Sequence, residues 1–312
     1  MKTVLVTDDV HPLMLEGLQQ RGYKTDFRPD ISLQDVRECI HLYEGLVINS
    51  KILVDKELLD CATRLEFIAR LGSGMEIVDK LYSASKNIAV LSSPEGNCNA
   101  VAEHALGMLL ALANNIPRAD REVRNFDWQR EKNRGFELNG RCVGIIGFGH
   151  TGSTFASKLT GLGVRILAYD KYKTNYTSAF PFVTEATLEQ IKAEADIISF
   201  HLPLTSEVIY FANKAFFDSC EKPIIIINTS RGKVVDMKAL LDALDAQKVS
   251  GACLDVFENE KPNTFSDEER SLYQRLYEKE QVVLSPHIAG WTQESKINLS
   301  KILLQKIDLL QL

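Results

Sequence analysis

Residues 141–152 read RCVGIIGFGHTG, a short apolar run followed by glycines at positions 147, 149 and 152. The run is typical of a buried β-strand, and residues 153–162 have the apolar spacing of a helix. In this context a G-x-G-x-x-G motif makes a tight turn, lets the backbone approach a pyrophosphate and allows close packing of helix on strand. The N–H groups at the start of such a helix attract an anion. The stretch therefore predicts a dinucleotide-binding strand, turn and helix.

A second strand is predicted over residues 164–169, and it ends at Asp170, 23 residues after Gly147. A carboxylate at this distance accepts hydrogen bonds from the ribose hydroxyls of NAD and repels the 2′-phosphate of NADP. The alternative is that the glycines form only a turn and that Asp170 caps the end of the strand. The joint pattern favours NAD as the cofactor.

Strand-like runs alternate with helical stretches on both sides of this unit. Further runs of apolar and β-branched residues cover 4–7, 46–49, 66–70, 88–91, 197–201, 224–228, 251–256 and 282–285. This alternation is typical of α/β folds with parallel sheets. We therefore predict two doubly wound parallel-sheet domains, of which the second has six strands and binds the dinucleotide. The apolar spacing of residues 293–312 predicts a final helix that packs on the first domain.

The composition of the chain excludes several classes of protein. It has 312 residues, 45% of them hydrophobic, and 36 Lys and Arg against 42 Asp and Glu give a net charge of −6. This balance excludes a disordered or collagen-like chain, and without a basic run we expect no nucleic-acid partner. The six cysteines stand singly, so we expect a reduced cytoplasmic protein without a bound metal. Since no apolar stretch of about 18 residues occurs, we expect no membrane span and no export signal.

Three charged residues follow later strands, at the edge of the sheet where open α/β folds bind ligands. They are Arg231 in INTSRG, Glu260 in LDVFENE and His287 in LSPHIAG. A histidine can take up or release the proton of a hydroxyl near neutral pH, and a neighbouring carboxylate would orient its ring. A guanidinium can bind a substrate carboxylate with two hydrogen bonds. Taken singly, each residue could instead be an ordinary loop or surface residue.

Seven motifs in a fixed order carry a resemblance that covers nearly the whole chain. They are ARLGSGMEIVD (69–79), SPEGNCNAVAEHALGMLLAL (93–112), GIIGFGHTG (144–152), ISFHLPLT (198–205), INTSRGKVVD (227–236), LDVFENE (254–260) and SPHIAGWT (285–292). In content and order they resemble the D-2-hydroxyacid dehydrogenase family. The resemblance implies a Rossmann NAD-binding domain over residues 99–288, inserted in a discontinuous, flavodoxin-like substrate domain of residues 1–98 and 289–312.

The resemblance also implies roles for the matching residues. Arg231, Glu260 and His287 correspond to the catalytic set of the family. The implied cofactor-binding residues are Gly147, Gly149, His150, Thr151, Gly152, Asp170, Leu202, Pro203, Thr229, Ser230, Asp255, Ala289 and Gly290. Among them, Asp255 would pair with the nicotinamide carboxamide, and His150 departs from the arginine that is common in the family. The implied substrate-binding residues are Ser50, Arg70, Ser73, Gly74 and Asn97.

Arg70 bears on the identity of the substrate. It lies two residues before Gly72, where phosphoglycerate dehydrogenases of the family have an arginine that binds the substrate phosphate, and Lys51 could add a second charge. We therefore expect NAD-dependent oxidation of 3-phospho-D-glycerate to 3-phosphohydroxypyruvate, a reaction of serine biosynthesis. The alternative is a reductase of a small 2-keto acid such as glyoxylate or hydroxypyruvate, in which Arg70 has a structural role.

Three further expectations come from the resemblance. The corepressors called C-terminal-binding proteins share the fold and the catalytic set, so an NAD-sensing binding protein is a remote alternative. Family members pair through the segment 99–113 and the loop region 118–134, so we expect a homodimer. Because the predicted final helix ends the sequence, we expect a short form without a regulatory domain.

Overall fold

A computed structural model describes residues 1–310 of the chain. These residues form two compact units, one containing Met1–Cys98 and the C-terminal segment from Trp291, the other containing Asn99–Gly290. The predicted second boundary lies two residues earlier, after residue 288. The last two residues of the predicted segment 289–312 lie outside the described residues.

The first unit is built on a five-stranded parallel sheet. Its strands are β1 (Thr3–Val6), β2 (Lys24–Phe27), β3 (Gly45–Ile48), β4 (Phe67–Arg70) and β5 (Ala89–Ser92). Its connecting helices are α1 (Pro12–Gln20), α2 (Leu33–Cys39), α3 (Lys56–Cys61) and α4 (Lys80–Ser85). The strand order is β2-β1-β3-β4-β5, which is the flavodoxin-like order. In this order β2 lies on one side of β1, and β3, β4 and β5 lie on the other.

Local sequence explains where several of these helices begin. Ser32 and Asp35 cap α2 with reciprocal hydrogen bonds, and the side chains of Asp55 and Asp79 cap α3 and α4. Each side chain satisfies an N–H group that has no partner inside its own helix. The three helices therefore begin directly after the N-cap residues Ser32, Asp55 and Asp79.

The second unit is built on a seven-stranded parallel sheet. Its strands are β6 (Cys142–Ile146), β7 (Arg165–Tyr169), β8 (Val183–Glu185), β9 (Ile197–Phe200), β10 (Ile224–Asn228), β11 (Val249–Leu254) and β12 (Val282–Leu284). Its helices are α5 (Cys98–Ala113), α6 (Ile116–Arg124), α7 (His150–Leu159), α8 (Leu188–Glu194), α9 (Lys214–Asp218), α10 (Met237–Asp245) and α11 (Asp267–Tyr277). The strand order is β12-β11-β10-β9-β6-β7-β8, so β7 and β8 are added on one side of β6 and β9 to β12 on the other, and the strand order reverses between β6 and β9. Ligands of open α/β sheets bind at such a reversal point.

The two predicted parallel α/β sheets are confirmed, but the predicted count of six strands in the second is wrong. The sequence pattern missed β8, which reads VTE, and in the first unit it missed β2, which reads KTDF. Both strands lie at the edge of their sheets. An edge strand buries fewer side chains, so polar residues replace the apolar run that marks a central strand.

Helix α12 (Gln293–Asp308) completes the first unit. Its apolar side chains share a core with those of α1, as the apolar spacing predicts. Gly17 allows the two helices to approach, because a Cβ there would lie 2.3 Å from Cδ1 of Leu304. Arg21 and Asp308 add an ion pair at the helix ends. Among the helices of residues 1–310, none is long and apolar enough to cross a bilayer.

Short 3-10 turns complete the description of the backbone. They cover Ile40–Leu42, Pro94–Gly96, Thr160–Leu162, Tyr176–Ser178, Gly232–Val234 and Pro262–Thr264. The turn at Pro94–Gly96 packs directly on α12, because a Cβ on Gly96 would lie 2.7 Å from the backbone nitrogen of Leu299. The C-terminal helix thus supports the loop that follows β5.

Candidate active site

The glycine-rich turn joins β6 to α7. Gly147 has a φ of +94°, and a Cβ there would lie 2.3 Å from the carbonyl oxygen of His201. A Cβ on Gly152 would lie 2.1 Å from the carbonyl oxygen of Gly147. No side chain fits at such distances from backbone atoms, so both positions require glycine. The turn therefore fixes the positions of β6, α7 and the residue after β9 relative to one another.

The start of α7 has the features of an anion site. Gly149 is the N-cap residue and has no side chain that could cap the helix, and His150 and Thr151 follow it in the first turn. The space where a Cβ of Gly149 would lie is open. Because the first N–H groups of a helix attract negative charge, this geometry fits a pyrophosphate. The buried hydroxyl of Thr229, after β10, has no hydrogen-bond partner in the described chain and fits a further polar contact with a dinucleotide.

Asp170 follows β7, and its carboxylate is bonded to the backbone of two loops. Its Oδ2 accepts the N–H of Phe148 at 2.8 Å, and its Oδ1 accepts those of Tyr172 and Lys173 at 2.9 and 3.1 Å. The Lys173 ammonium group donates to the carbonyl oxygen of Phe148 at 2.9 Å. Asp170 and Lys173 also line an open cavity of about 440 Å³. The carboxylate thus orders the turn and faces a space large enough for a sugar ring.

Arg231, Glu260 and His287 follow β10, β11 and β12, which are adjacent strands. The Nδ1 atom of His287 lies 2.7 Å from Oε2 of Glu260. The side chains of His287 and Glu260 are 48% and 38% exposed, so a ligand can reach both. The charge of Arg231 also acts on the Glu260 carboxylate. The structure therefore brings together the three residues that the sequence places far apart.

The ionisation of Glu260 fixes the orientation of the imidazole. Burial opposes the charged form, but the hydrogen bond and charge of His287, the N–H of Phe257 and the charge of Arg231 favour it. Together these contacts hold the pKa of Glu260 below its usual value. An ionised carboxylate accepts the Nδ1–H of His287, so Nε2 is the nitrogen that can exchange a proton with a ligand.

Asn228 holds the loop that carries Arg231, and sequence reasoning missed it. Its Oδ1 accepts the N–H and the hydroxyl of Ser230 at 3.1 and 2.8 Å, and its Nδ2 donates to the carbonyl oxygen of Arg231 at 2.9 Å. Arg231 donates from Nη1 to the carbonyl oxygen of Ser230 at 2.7 Å. The available signal was the polar residue at the end of the apolar strand IIIIN.

Asp255, predicted to pair with the nicotinamide carboxamide, has an exposed fraction of 0%. Its Oδ1 accepts the Ser285 hydroxyl at 2.6 Å and the N–H of Ile288 at 2.9 Å, and its Oδ2 accepts the N–H of Ala289 at 2.8 Å. The contact with the carboxamide stays a prediction. In this structure the carboxylate organises the loop after β12.

The other predicted cofactor residues lie at the same edge of the larger sheet. Leu202 and Pro203 follow β9, Ser230 follows β10, and Ala289 and Gly290 follow β12. Within the described 310 residues, no three His, Cys, Asp or Glu side chains form a group that could hold a metal ion.

The predicted substrate residues lie in the first unit, after its strands. Arg70 is the last residue of β4, and its Nε donates to the carbonyl oxygen of Asn49 at 3.1 Å. Its guanidinium lies against the backbone of Gly72, where a Cβ would be 1.8 Å from Nη1. Gly72 has a φ of +139° and is tied to Ser93 through a hydrogen bond of 3.3 Å. Backbone and glycine together therefore hold the arginine in place.

The remaining predicted substrate residues lie in the loops after β3, β4 and β5. Ser73 and Gly74 follow Gly72, Ser50 lies in the loop after β3, and Asn97 follows the 3-10 turn at Pro94–Gly96. Lys51, considered as a second cation, donates instead to the carbonyl oxygen of Pro29 at 2.5 Å. The ammonium group is thus held toward the loop before α2.

Comparison with known proteins identifies a family. The profile of the D-isomer specific 2-hydroxyacid dehydrogenase, NAD binding domain, matches residues 106–289. That span includes the glycine-rich turn and all of Arg231, Glu260 and His287. The second unit is therefore an NAD-binding domain.

Curated relatives cover the first unit as well. A D-3-phosphoglycerate dehydrogenase from Archaeoglobus fulgidus is 32% identical over 97% of this chain and 56% of its own length. A D-3-phosphoglycerate dehydrogenase from Homo sapiens is 30% identical over 100% of this chain and 57% of its own length. The chain spans about half the length of the curated relatives it matches.

Solved structures match the fold over nearly the full chain. D-lactate dehydrogenase from Aquifex aeolicus, crystallised with NAD and lactic acid, superposes with a TM-score of 0.83 at 26% identity, covering 98% of this chain and 94% of that one. A glyoxylate reductase from Paecilomyes thermophila superposes with a TM-score of 0.87 at 20% identity, covering 98% and 94%. The second match concerns the fold alone.

The lowered pKa of Glu260 predicts how the substitution Glu260→Gln changes stability with pH. A carboxyl group whose pKa is lower in the folded state stabilises the fold above its unfolded pKa, and this stabilisation is lost as the pH falls through the folded pKa. We expect the unfolding free energy of the parent protein, minus that of Glu260→Gln, to shrink as the pH falls from about 5 toward 3. Urea unfolding at a series of pH values measures this difference in free energy. A difference that does not change with pH would contradict the lowered pKa of Glu260.

Proposed function

This chain belongs to the D-isomer specific 2-hydroxyacid dehydrogenase family, and we propose that it oxidises 3-phospho-D-glycerate to 3-phosphohydroxypyruvate with NAD. The observation that carries this choice is Arg70, a guanidinium fixed at the end of β4 and followed by the Gly72–Gly74 loop. The names of the curated relatives support it. The reaction would serve serine biosynthesis in the cytoplasm.

The proton chemistry of this reaction falls to His287. With Nδ1–H donated to Glu260, the lone pair of Nε2 accepts the proton of the substrate hydroxyl as the hydroxyl becomes a carbonyl. The Glu260 carboxylate stabilises the resulting imidazolium, because its Oε2 lies 2.7 Å from Nδ1 of His287. Arg231 binds the substrate carboxylate with two hydrogen bonds and polarises the developing carbonyl. Bound NAD⁺ supplies the acceptor for the hydride.

The first unit supplies the substrate contacts in this proposal. The backbone of Ser73 and Gly74 binds the carboxylate, while Ser50 and Asn97 contribute polar contacts. Arg70 binds the phosphate, because a guanidinium matches phosphate oxygens with parallel hydrogen bonds. Its side chain is already ordered by Asn49 and Gly72, so little rotamer entropy is lost when the phosphate binds.

A reductase of a small 2-keto acid is the second candidate. The structural match to the D-lactate dehydrogenase that was crystallised with NAD and lactic acid favours it. In that function Arg70 would act structurally, through its hydrogen bond to Asn49 and its contact with Gly72. Lys51, the second cation considered for a phosphate, donates to the carbonyl oxygen of Pro29.

We also propose that two copies of the chain associate through α6 and the loop that follows it. Phe126 and Trp128 in this loop are 95% and 71% exposed, and Ile116 and Val123 of α6 are also exposed. A cluster of exposed large apolar side chains in one segment is typical of a protein interface. A second copy covering the same segment would bury them.

Light scattering tests the association. We expect twice the mass of one chain for the parent protein and the mass of a single chain for Trp128→Glu, because a buried carboxylate without a partner opposes association. Leu81→Glu is the matched control, since Leu81 is 87% exposed on α4 in the first unit. A parent protein with the mass of one chain would refute the dimer.

The substitution His287→Ala tests the acid–base role. We expect kcat to fall by about 10²–10⁴-fold, because general acid–base catalysis contributes factors of that size. NADH affinity, measured by fluorescence titration, should change little, because the glycine-rich turn and Asp170 are untouched. A kcat within a few-fold of the parent value would assign the proton to another residue.

The substitution Arg70→Ala decides between the two candidate substrates. If Arg70 binds phosphate, KM for 3-phospho-D-glycerate should rise about 10- to 100-fold, since a hydrogen bond to a charged group contributes about 1.5–3 kcal/mol. KM for D-glycerate and D-lactate should stay unchanged, because these acids have no group that reaches the guanidinium.

Arg64→Ala is the matched control for that experiment. Arg64 precedes β4 at the opposite end of the strand and pairs with Glu44, so its loss removes one positive charge and one ion pair without touching the Arg70 loop. We expect both sets of KM values to be unaffected. An equal loss on phosphorylated and unphosphorylated acids in Arg70→Ala would favour the small 2-keto acid reductase.

A further inference from the structure

A hydrogen-bonded chain runs from α5 through the buried Asp255 to the loop that carries His287. Its first member is His104, whose Nε2 lies 2.8 Å from the Ser285 hydroxyl. The hydroxyl in turn lies 2.6 Å from Oδ1 of Asp255. Asp255 has no exposed surface, Ser285 is partly buried, and the His104 side chain is 24% exposed. These contacts are separate from the pair formed by His287 and Glu260.

The direction of each hydrogen bond in this chain follows from proton counting. Ser285 has one hydroxyl proton, and its short contact with the carboxylate of Asp255 is a stronger bond than its 3.6 Å contact with Sδ of Met108. The proton of Ser285 therefore goes to Asp255, and its oxygen is left as an acceptor. His104 consequently carries a proton on Nε2 and donates it to Ser285.

The backbone of His287 has an uncommon conformation that depends on Asp255. Its φ is +56°, in the left-handed region that residues with a Cβ disfavour. The N–H of His287 donates to the carbonyl oxygen of Asp255 at 2.7 Å, and the carboxylate accepts the N–H groups of Ile288 and Ala289. Three consecutive N–H groups of the loop thus end on one residue. Such contacts hold a strained residue in place.

We propose that His104, Ser285 and Asp255 are positioning residues, which hold the loop after β12 so that the ring of His287 meets Glu260 and presents Nε2. The proposal rests on the acid–base role given to His287 in the proposed function. It gives Asp255 a duty other than the predicted contact with the nicotinamide carboxamide. Both oxygens of Asp255 already accept hydrogen bonds from the loop, so a further donor would have to share them.

The positioning and cofactor-contact roles predict different kinetic changes. A residue that contacts the carboxamide contributes to NADH binding, so its disturbance raises the Kd for NADH. A residue that orients His287 acts on the proton transfer, so its disturbance lowers kcat and leaves that Kd unchanged. A residue with a merely structural role lowers Tm and changes neither value well below Tm.

Ser285→Ala is the main test, because it removes the hydroxyl that connects His104 to Asp255. We expect kcat to fall about tenfold, because the loss of one hydrogen bond commonly costs about 1 kcal/mol or slightly more. The Kd for NADH should stay within about twofold of the parent value. Ser83→Ala is the matched control. The buried Ser83 lies in the first unit, and its hydroxyl also donates a hydrogen bond, to the backbone carbonyl oxygen of Asp79. This control should keep the parent kcat.

Substitutions of His104 keep the proposal testable if Ser285→Ala fails to fold. His104→Phe retains a ring of similar size without a donor, so kcat should fall several-fold. His104→Gln retains an amide donor near the position of Nε2, so kcat should return to within about twofold of the parent value. The proposal is wrong if both His104→Phe and Ser285→Ala keep the parent kcat, or if they raise the Kd for NADH instead.

A spectroscopic measurement separates this proposal from the proposed function. The Nδ1–H of His287, hydrogen-bonded to Glu260, should give a downfield proton resonance at low temperature that is absent in His287→Ala. Ser285→Ala should broaden or shift that resonance, and Ser83→Ala should leave it unchanged. If the parent protein oxidises none of the acids tested, the proposed function fails, yet the resonance still reports whether the loop positions the ring. An unaltered resonance in Ser285→Ala would refute the positioning role.

Discussion

A Cβ at Gly147 would collide with the carbonyl oxygen of His201, and this close contact joins the turn after β6 to the residue after β9. The two strands are parallel neighbours at the point where the strand order reverses. Loops on the two sides of β6 therefore leave the sheet in opposite directions, and the space between them is open to a ligand. The anion site at the start of α7 and the loops of the charged residues all border this edge.

The chemistry at this edge depends on how the later strands end. The loops after β10, β11 and β12 carry Arg231, Glu260 and His287, so the register of these strands and not the local sequence determines how far apart the three side chains lie. Arg231 and His287 both favour the ionised form of Glu260. The carboxylate in turn selects the tautomer of His287. A change in the register of β11 or β12 would alter the distance between Glu260 and His287 and with it their hydrogen bond.

The sequence is sufficient for those parts of the molecule that depend on repeated or steric patterns. The glycines at 147 and 152 could be predicted because their backbone geometry excludes every other residue, and the central strands could be predicted because they are apolar throughout. The edge strands β2 and β8 could not, since polar residues are tolerated there. Asn228, Ser285 and His104 were missed as site residues because their partners are distant in the chain or belong to the backbone. No periodic pattern in the sequence indicates a side chain that forms hydrogen bonds with a loop.

The burial of Asp255 illustrates why such residues escape a reading of the sequence. A carboxylate without exposed surface loses its hydration, and its hydrogen bonds to Ser285, Ile288 and Ala289 offset a loss that an apolar residue would not incur. Stability alone therefore gives little reason to place an aspartate there. A carboxylate has four acceptor sites in a fixed plane, and this geometry can hold successive N–H groups of a loop that makes a left-handed step at His287. The buried charge is best explained by the conformation it imposes on that loop, because an apolar side chain could fill the same volume but could not bind the backbone.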